Sequence, residues 1–300
     1  MCLLCFGAVC ADNSPKTVKL LTVGNSFSGN AIRYLKDISS AAGDTLILQR
    51  ADLPGCPMHR HWDNIQKSET DPNEGKAYAM TVNGEAKLFA LKDVLTADKW
   101  DFVTMQQASI LSPDIKTYRP YAKNLYGYFK KHALQAEVMM HQTWAYRVDD
   151  PGFGGKDGNS HAKMYKNLTA AYRTVAKELG VRIMPVGDAM YAADIDPTWG
   201  YKSPTFDKAA IKPPTIPDQT HSLHVGWYWA KDKEGGDMLA MDGHHANALG
   251  CYLAGCVWYE SLFGKSVVGN KYVPEGISPA DVKYLQAAAH KAVENEKKRK

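Results

Sequence analysis

The chain has 300 residues, enough for one large α/β domain or two small ones with a continuous buried core. Its composition, 45% hydrophobic and 23% charged, is typical of a globular protein and argues against disorder. The formal net charge is +4, and the basic tail at 297–300 supplies that excess, so the remainder is near neutral. Because nucleic-acid binding needs a basic stripe on one face, we expect no nucleic-acid partner.

Residues 1–11 form an apolar run that ends in Val9-Cys10-Ala11 and is broken at once by the polar stretch 12–16. Its last residues are typical of a secretory cleavage site, although the run is short and has no charged beginning. We interpret it as a truncated signal peptide and predict a periplasmic or secreted protein. A buried first strand and a lipoprotein anchor at Cys10 are the alternatives. No later stretch approaches about 18 uninterrupted apolar residues, so we predict no transmembrane segment.

The cysteines outside this leader are Cys56, Cys251 and Cys256. If the last two share a helix, a rise of about 1.5 Å per residue places them beyond the roughly 7 Å reach of a disulfide. Two arrangements therefore stay open. Cys56 bridges one of them, or all three are buried free thiols.

Short apolar runs alternate with stretches of helical periodicity over most of the chain. Strands that alternate with helices of this length form βαβ units and a parallel sheet. Asn83-Gly84 between two further short runs predicts a hairpin apart from that sheet. We predict one α/β domain over 17–296 with a mostly parallel sheet of five strands, at 18–23, 45–48, 100–105, 137–142 and 181–186, and helices after Ser26 up to Gly43, at 118–132 and at 162–179.

Regularity lapses between residues 194 and 236, where prolines and aromatic residues occur without a clean period. Loops this long in a compact domain are usually functional or disordered, and the aromatic content argues against disorder. We predict an irregular aromatic insert here. Helical periodicity returns at about 246–263 and again at 279–296.

A serine lies on a predicted tight turn directly after the first strand, in the sequence Gly24-Asn25-Ser26-Phe27-Ser28. This position is at the carboxyl edge of a parallel sheet, where open α/β sheets bind ligands. Ser26 or Ser28 as a simple helix N-cap is the alternative. The motif is not the G-x-S-x-G elbow of α/β-hydrolases, because position 28 is Ser rather than Gly.

Far downstream, Asp242 and His245 are three residues apart and can share one turn. The carboxylate would then reach one ring nitrogen and fix the tautomer, leaving the other nitrogen to face a nucleophile as general base. His244 is the competing base, and the three-residue step favours His245. Alternatively, Asp242 only caps the helix that begins near Ala246.

These motifs resemble those of the SGNH (GDSL-type) hydrolase superfamily, over about residues 19–264. The resemblance implies a flavodoxin-like three-layer sandwich with helices on both faces of the sheet. It also implies hydrolysis of esters of carbohydrates, lipids and related acyl compounds. By position, Ser26 corresponds to the nucleophile, Asp242 to the orienting acid and His245 to the base.

The oxyanion hole of that family is matched only in part. Gly55 corresponds to the glycine whose backbone N–H joins that of Ser26 in the hole. Asn25 stands where the family usually has Asp, and the third strand ends in MQQAS rather than in the family's Gly-x-Asn-Asp. Because a Gln side chain carries the same amide donor on a longer arm, we expect Gln106 or Gln107 to replace the missing asparagine.

Three further residues are candidates for binding substrate. Arg60, in the sequence HRHW after Gly55, would pair with an acidic substituent. Trp144 and Arg147 follow the fourth strand on the same edge as Ser26, and we expect them to form a platform that faces a sugar. The alternative is an aromatic residue packed against the sheet. We expect no metal, since no Cys or carboxylate clusters with the histidines near Arg60.

The sequence therefore predicts a serine esterase that removes O-acyl groups, acetyl above all, from a carbohydrate, without a cofactor. Another small ester is the wider substrate class. Two alternatives stay open: a lipid or thioester hydrolase, which would need an apolar acyl channel, and a carbohydrate-binding protein on a decayed esterase scaffold. The second would separate Ser26 from His245 beyond hydrogen-bond reach.

Overall fold

A parallel β-sheet forms the centre of the protein in a computed structural model that describes residues 14–153 and 160–299. The predicted signal peptide at 1–11 lies outside the described residues. The strands are β1 (Thr17–Gly24), β2 (Thr45–Asp52), β3 (Tyr78–Val82), β4 (Glu85–Phe89), β5 (Phe102–Met105), β6 (Glu137–His141), β7 (Arg182–Met184), β8 (His224–Lys231) and β9 (Asp237–Ala246). The α-helices are α1 (Ser26–Ile32), α2 (Leu35–Ala41), α3 (Met58–Thr70), α4 (Leu91–Thr96), α5 (Tyr121–His132), α6 (His161–Leu179), α7 (Val186–Asp194), α8 (Ala248–Phe263) and α9 (Pro279–Lys297).

The central sheet has the strand order β2-β1-β5-β6-β7, and every neighbouring pair is parallel. Counted along the chain this order is 2-1-3-4-5, that of flavodoxin-like folds. The predicted fold class is therefore confirmed. The order reverses between β1 and β5, and ligands of open α/β sheets bind outside the carboxyl ends of the strands at such a switch point.

Strand β1, an inner strand between β2 and β5, is apolar because the sheet is covered on both faces. Leu20, Leu21 and Val23 are all fully buried although neighbouring side chains point to opposite faces. Val23 lies opposite Ala51 on one side and Met105 on the other. This register brings the residues after β1, β2 and β5 to the same edge of the sheet.

Helices flank the sheet in two groups of mutual contacts. One consists of α3, α4, α5 and α6, and the other of α1, α2, α7, α8 and α9. Helix α8 is the centre of its group, and every residue from Gly250 to Phe263 is buried. A helix that is apolar on all sides is a buried helix. The Asn247 side chain caps its start by accepting from Gly250 N–H, and Gly264, with a φ of 68°, ends it.

Most predicted elements are present, and the Asn83-Gly84 hairpin is confirmed as β3 and β4, with φ of 54° and 82° at the turn. The helix predicted after Ser26 is two short helices, α1 and α2. Helices α3, α4 and α7 were not predicted. In α3, the buried residues Met58, His61 and Ile65 do have helical spacing, but its polar residues conceal the pattern.

The prediction of an irregular insert over 194–236 is wrong for its last part. Residues 224–231 form β8, which pairs with β9 as an antiparallel hairpin. The burial of β8 alternates only over its first residues and then lapses, so its sequence lacks a sustained two-residue period. Asp242 and His245 consequently belong to β9 and not to a turn outside regular structure.

Cys56, Cys251 and Cys256 are buried and free, which decides between the two arrangements left open for the cysteines. Among the described residues, no helix combines the length and apolar character needed to cross a bilayer.

Gly250 in α8 and Gly127 in α5 are both inside helices, but only Gly250 has another part of the chain packed closely against it. A methyl group on Gly250 would lie 2.1 Å from the carbonyl oxygen of Leu223, whereas one on Gly127 in α5 would meet nothing within 4 Å. Overpacking costs about 1–3 kcal/mol, so Gly250→Ala should lower the free energy of unfolding by about that amount. Gly127→Ala should raise it by about 0.5–1 kcal/mol, because alanine restricts the unfolded chain. Urea denaturation of both variants measures the difference, and equal effects would contradict the close approach of α8 to Leu223.

Candidate active site

Ser26, His245 and Asp242 converge at the carboxyl end of β1. The Oγ atom of Ser26 lies 2.9 Å from Nε2 of His245, and Nδ1 of the same ring lies 2.8 Å from Oδ2 of Asp242. The Ser26 side chain is half-buried, and the imidazole of His245 is 41% exposed, so a substrate can reach both. The geometry permits proton transfer from the serine hydroxyl to an imidazole held by a carboxylate.

Asn25 shapes the turn that carries Ser26. Its Oδ1 atom accepts a hydrogen bond of 3.0 Å from the backbone N–H of Phe27 and so caps α1. Its Nδ2 atom donates a hydrogen bond of 3.0 Å to the carbonyl oxygen of Cys56. An aspartate in this position would have no proton to donate to that carbonyl. The departure from the family's usual Asp therefore ties the Ser26 turn to the loop after β2.

His245 and Asp242 are held by the end of β9. The second carboxylate oxygen of Asp242 accepts hydrogen bonds from the backbone N–H groups of His244 and His245, at 3.0 and 2.9 Å. Burial alone would raise the pKa of Asp242, but these bonds and the one to the His245 ring hold it well below its usual value. The hydrogen bond with Asp242 raises the pKa of His245, against the opposing effect of burial.

The buried rings of Phe27 and Trp144 pack against the catalytic residues from the interior of the protein. The Phe27 ring stacks on Trp144 with centroids 4.3 Å apart, and its centroid lies 5.8 Å from that of His245. Trp144 is fully buried, and its indole N–H donates to the carbonyl oxygen of His244 at 2.9 Å. The prediction that Trp144 faces a sugar is therefore wrong, because its ring is packed under the site and its polar atom is engaged.

Arg147 is also buried, and its predicted role as part of a substrate platform is wrong. Its guanidinium pairs with Asp149 at 2.7 Å and donates to Gln219 at 2.6 Å. It also lies over the ring of Tyr201, 4.5 Å from the centroid. Gln219 and Tyr201 both come from the segment after α7, so Arg147 anchors that segment to the loop after β6.

Gln106 does not face an oxyanion, contrary to the prediction. Its side chain is buried, and its Nε2 atom donates to Oδ1 of Asn25 at 2.6 Å. Its Oε1 atom accepts hydrogen bonds of 2.6 Å from Ser28 and from Nδ1 of His141. Burial lowers the pKa of His141 to about 3, so this ring is neutral and can donate from Nδ1. Gln106 thus connects three elements behind Ser26.

Gln107 is engaged elsewhere as well, so its predicted place in the oxyanion hole is also wrong. Its Nε2 atom donates to the carbonyl oxygen and to the hydroxyl of Thr117, at 2.9 and 3.2 Å. Its Oε1 atom accepts from the backbone N–H groups of Met58 and Ala108, at 3.1 and 2.8 Å. Both amide protons are used, and the side chain instead caps the start of α3.

Gly55 lies in an exposed turn after β2, with a φ of 61° that favours glycine. The backbone N–H of Leu53 donates to the carbonyl oxygen of Gly24 at 2.9 Å, and Asn25 binds Cys56. These two bonds draw the Gly55 turn towards Ser26. Its part in an oxyanion hole stays a prediction.

Arg60 is exposed on α3, shortly after this turn, and its predicted role also stays a prediction. His244, the competing base, is bonded to a different carboxylate, with Nε2 3.2 Å from Oδ2 of Asp150. Within the described ranges, no group of three or more His, Cys, Asp and Glu side chains is placed to hold a metal ion.

The Gln106 network was not predicted, and its importance can be measured by its effect on stability. Gln106→Met removes the amide that binds Asn25, Ser28 and His141, and leaves those polar groups buried without their partner. We expect the free energy of unfolding to fall by about 1–3 kcal/mol. Gln135→Met, at an exposed glutamine outside the network, is the control and should change it little. Equal stability of the two variants in urea would contradict the network.

The comparisons with known proteins concern the whole chain. A family described as a domain of unknown function, DUF4886, matches residues 19–198 and 215–292. The crystal structure of a DUF4886 family protein from Bacteroides uniformis is 31% identical, with a TM-score of 0.69, and the match covers 92% of this chain and 95% of that one. No curated protein sequence matches the chain.

Two more distant structures carry hydrolase names. A candidate SGNH hydrolase from Slackia heliotrinireducens is 20% identical with a TM-score of 0.48, covering 81% of this chain and 98% of that one. A candidate GDSL-like lipase from Parabacteroides merdae is 13% identical with a TM-score of 0.45, covering 84% and 98%. The strand order of the sheet is the flavodoxin-like order that the resemblance to the SGNH superfamily implies. By its match to the family and its likeness to the Bacteroides uniformis structure, the chain belongs to the DUF4886 family.

Proposed function

We propose that this protein is a serine hydrolase that cleaves carboxylic esters through an acyl-enzyme on Ser26. The observation that carries the proposal is the continuous chain of hydrogen bonds from Ser26 through His245 to Asp242, at 2.9 and 2.8 Å. A decayed scaffold would have lost the contact between Ser26 and His245. The short distance therefore favours turnover over binding alone.

The reaction follows from these positions. Ser26 Oγ attacks the ester carbonyl carbon as Nε2 of His245 takes its proton, and a tetrahedral oxyanion forms. His245 then gives this proton to the leaving alcohol oxygen as the ester bond breaks. Water attacks the acyl-enzyme with His245 again as base, which releases the acid and restores Ser26. Asp242 keeps the ring in the tautomer that presents a free Nε2 to Ser26.

Two backbone N–H groups, those of Ser26 and Gly55, would bind the oxyanion. Because the amides of Gln106 and Gln107 are engaged elsewhere, no glutamine is assigned to this role. The work of the two glutamines is to fix the turns that hold Ser26 and α3 in place.

We propose an acetylated carbohydrate as the substrate, in line with the SGNH resemblance. Next to the triad the chain offers the partly exposed imidazole of His244 and, near it, the half-buried hydroxyl of Ser109. Export to the periplasm or the exterior is proposed on the apolar run at 1–11, with residues 17–296 as one catalytic domain. A lipid ester is the competing substrate, and it would require an apolar acyl channel.

Removal of the nucleophile tests the reaction type. Ser26→Ala should lower kcat for a chromogenic acetate ester by about four to six orders of magnitude, since no other group in the arrangement can form the acyl-enzyme. Ser39→Ala is the control, because that hydroxyl bonds only the carbonyl oxygen of Leu35 inside α2. Equal rates for Ser26→Ala and the parent chain, with both folded, would refute the proposal.

The pH dependence of the reaction tests the role of Asp242. His245 must be neutral to accept the serine proton, so kcat/KM should rise with pH through the pKa of His245, above the usual value of about 6.5. Asp242→Asn removes the charge that raises this pKa, so the acid limb should move to lower pH. The rate at its plateau should fall by about three to four orders of magnitude, because the tautomer is no longer held. An unmoved acid limb would exclude His245 as the titrating base.

A further inference from the structure

A second histidine–aspartate pair lies directly beside the first one. The imidazole of His244 is 45% exposed, while the side chain of its partner Asp150 is only 5% exposed. Asp150 also accepts a hydrogen bond of 2.7 Å from the backbone N–H of Gly152. Burial would raise the pKa of Asp150, but the bonds to His244 and Gly152 lower it, so the carboxylate stays charged. A charged, buried acceptor fixes Nε2 of His244 as the donor in this pair.

The ring of His244 is oriented from a second direction by Tyr146. The two ring centroids are 3.8 Å apart with an angle of 34° between their planes. The hydroxyl of Tyr146 is in turn 3.1 Å from Oγ of Ser109, in the segment after β5. One face of the His244 ring is thus covered, and the exposed part of the ring is held in a single orientation.

The backbone is adapted to this pair. A methyl group on Gly243 would lie 2.3 Å from Oδ2 of Asp150, so only glycine allows the carboxylate to approach His244 here. The backbone of this segment is also bonded to the loop after β6, through Arg147 N–H to the Gly243 carbonyl at 2.8 Å and Trp144 to that of His244. The sequence Asp242-Gly243-His244-His245 therefore places two neighbouring imidazoles, each on its own carboxylate.

The position of His244 relates it to one part of the ester. His245 returns its proton to the leaving alcohol, so that alcohol oxygen must lie within hydrogen-bond reach of His245 Nε2. At this point the pairing of β9 with β8 shifts in register, so strict alternation of side chains does not hold, and the backbone N–H groups of His244 and His245 both turn to Oδ1 of Asp242. His244 therefore shares one turn with His245, and its partly exposed ring is the neighbouring candidate for a contact with the alcohol portion.

We propose that His244 binds the alcohol portion of the substrate and that this portion is a polyhydroxylated ring, as in a sugar. The inference rests on the proposed function and assigns one residue to the recognition of the sugar. With Nε2 donating to Asp150, Nδ1 presents a lone pair to a substrate hydroxyl, and among the described residues Nδ1 has no other partner. An alkyl alcohol has no hydroxyl left to donate, and its approach would only remove water from Nδ1. The subsite therefore selects sugar esters over lipid esters.

His244→Gln tests this role with little change to the fold, because the glutamine amide can still donate to Asp150 while the ring nitrogen that meets substrate is lost. The matched control is His290→Gln. His290, on α9, is 40% exposed, and its Nδ1 atom lies 3.0 Å from the buried carboxylate of Glu260 on α8. A purely structural histidine–carboxylate pair would behave alike at both positions.

The substrates are three acetates with the same acyl group: ethyl acetate, octyl acetate and monoacetylated glucose. We expect His244→Gln to lower kcat/KM for acetylated glucose about tenfold through KM, the effect of one lost hydrogen bond, and to change the values for ethyl and octyl acetate less than twofold. His290→Gln should leave all three unchanged. A parent chain that prefers octyl acetate, or a His244→Gln variant that loses all three activities equally or none, would overturn the inference.

Failure of the proposed function would be visible separately, because it would abolish hydrolysis of ethyl acetate by the parent chain. In that case calorimetric titration of the parent chain and of His244→Gln with acetylated glucose decides the subsite. Affinity that depends on His244 supports it, and equal affinity or no binding refutes it.

Discussion

The side-chain amide of Asn25 holds together the segments that meet at the carboxyl end of β1. It caps α1 by accepting a hydrogen bond from Phe27 N–H, donates one to the carbonyl oxygen of Cys56 after β2, and accepts one from the Gln106 amide after β5. Gln106 extends the contact to Ser28 and to His141 at the end of β6. Because each of these groups is buried, an unmade bond would cost the full desolvation of the group that is left unpaired. The network therefore holds Ser26 rigidly at the topological switch point, where the sheet itself leaves room for a ligand.

At two glycines of this site, a side chain packs directly against the backbone. A methyl group on Gly24 would lie 2.4 Å from the hydroxyl of Ser28, and one on Gly243 would meet Asp150 at 2.3 Å. Gly24 leaves space for the nearby Ser28, and Gly243 leaves space for Asp150 from a distant part of the sequence. The serine at position 28, which departs from the glycine of the α/β-hydrolase elbow, uses that space to bind Gln106. At the site itself, the side chains of Ser26, His244 and His245 remain partly exposed.

Charged side chains around the site are paired with polar partners. Asp242 and Asp150 are both held ionised by hydrogen bonds that outweigh their burial, and each orients an imidazole that remains partly exposed. Arg147 lies in the same loop as Asp150. Its guanidinium is paired with Asp149 and covered by the ring of Tyr201. It stabilises the segment after α7 and presents no charge to a substrate. For the proposed sugar ester, the His244 pair would supply hydrogen bonds and ring contacts.

Local patterns in the sequence were sufficient for the strands of the parallel sheet, for the hairpin at Asn83-Gly84 and for the motifs that contain Ser26, Asp242 and His245. These features depend on neighbours within a few residues, and periodicity, turn chemistry and spacing report such neighbours directly. The tertiary structure decided the roles of Gln106, Gln107, Trp144 and Arg147, since their partners lie far away in the sequence. A buried amide and an exposed one look the same in the sequence. Only the packing of β1, β5 and β6 shows that these amides hold the site together while the His244 and His245 rings stay partly exposed.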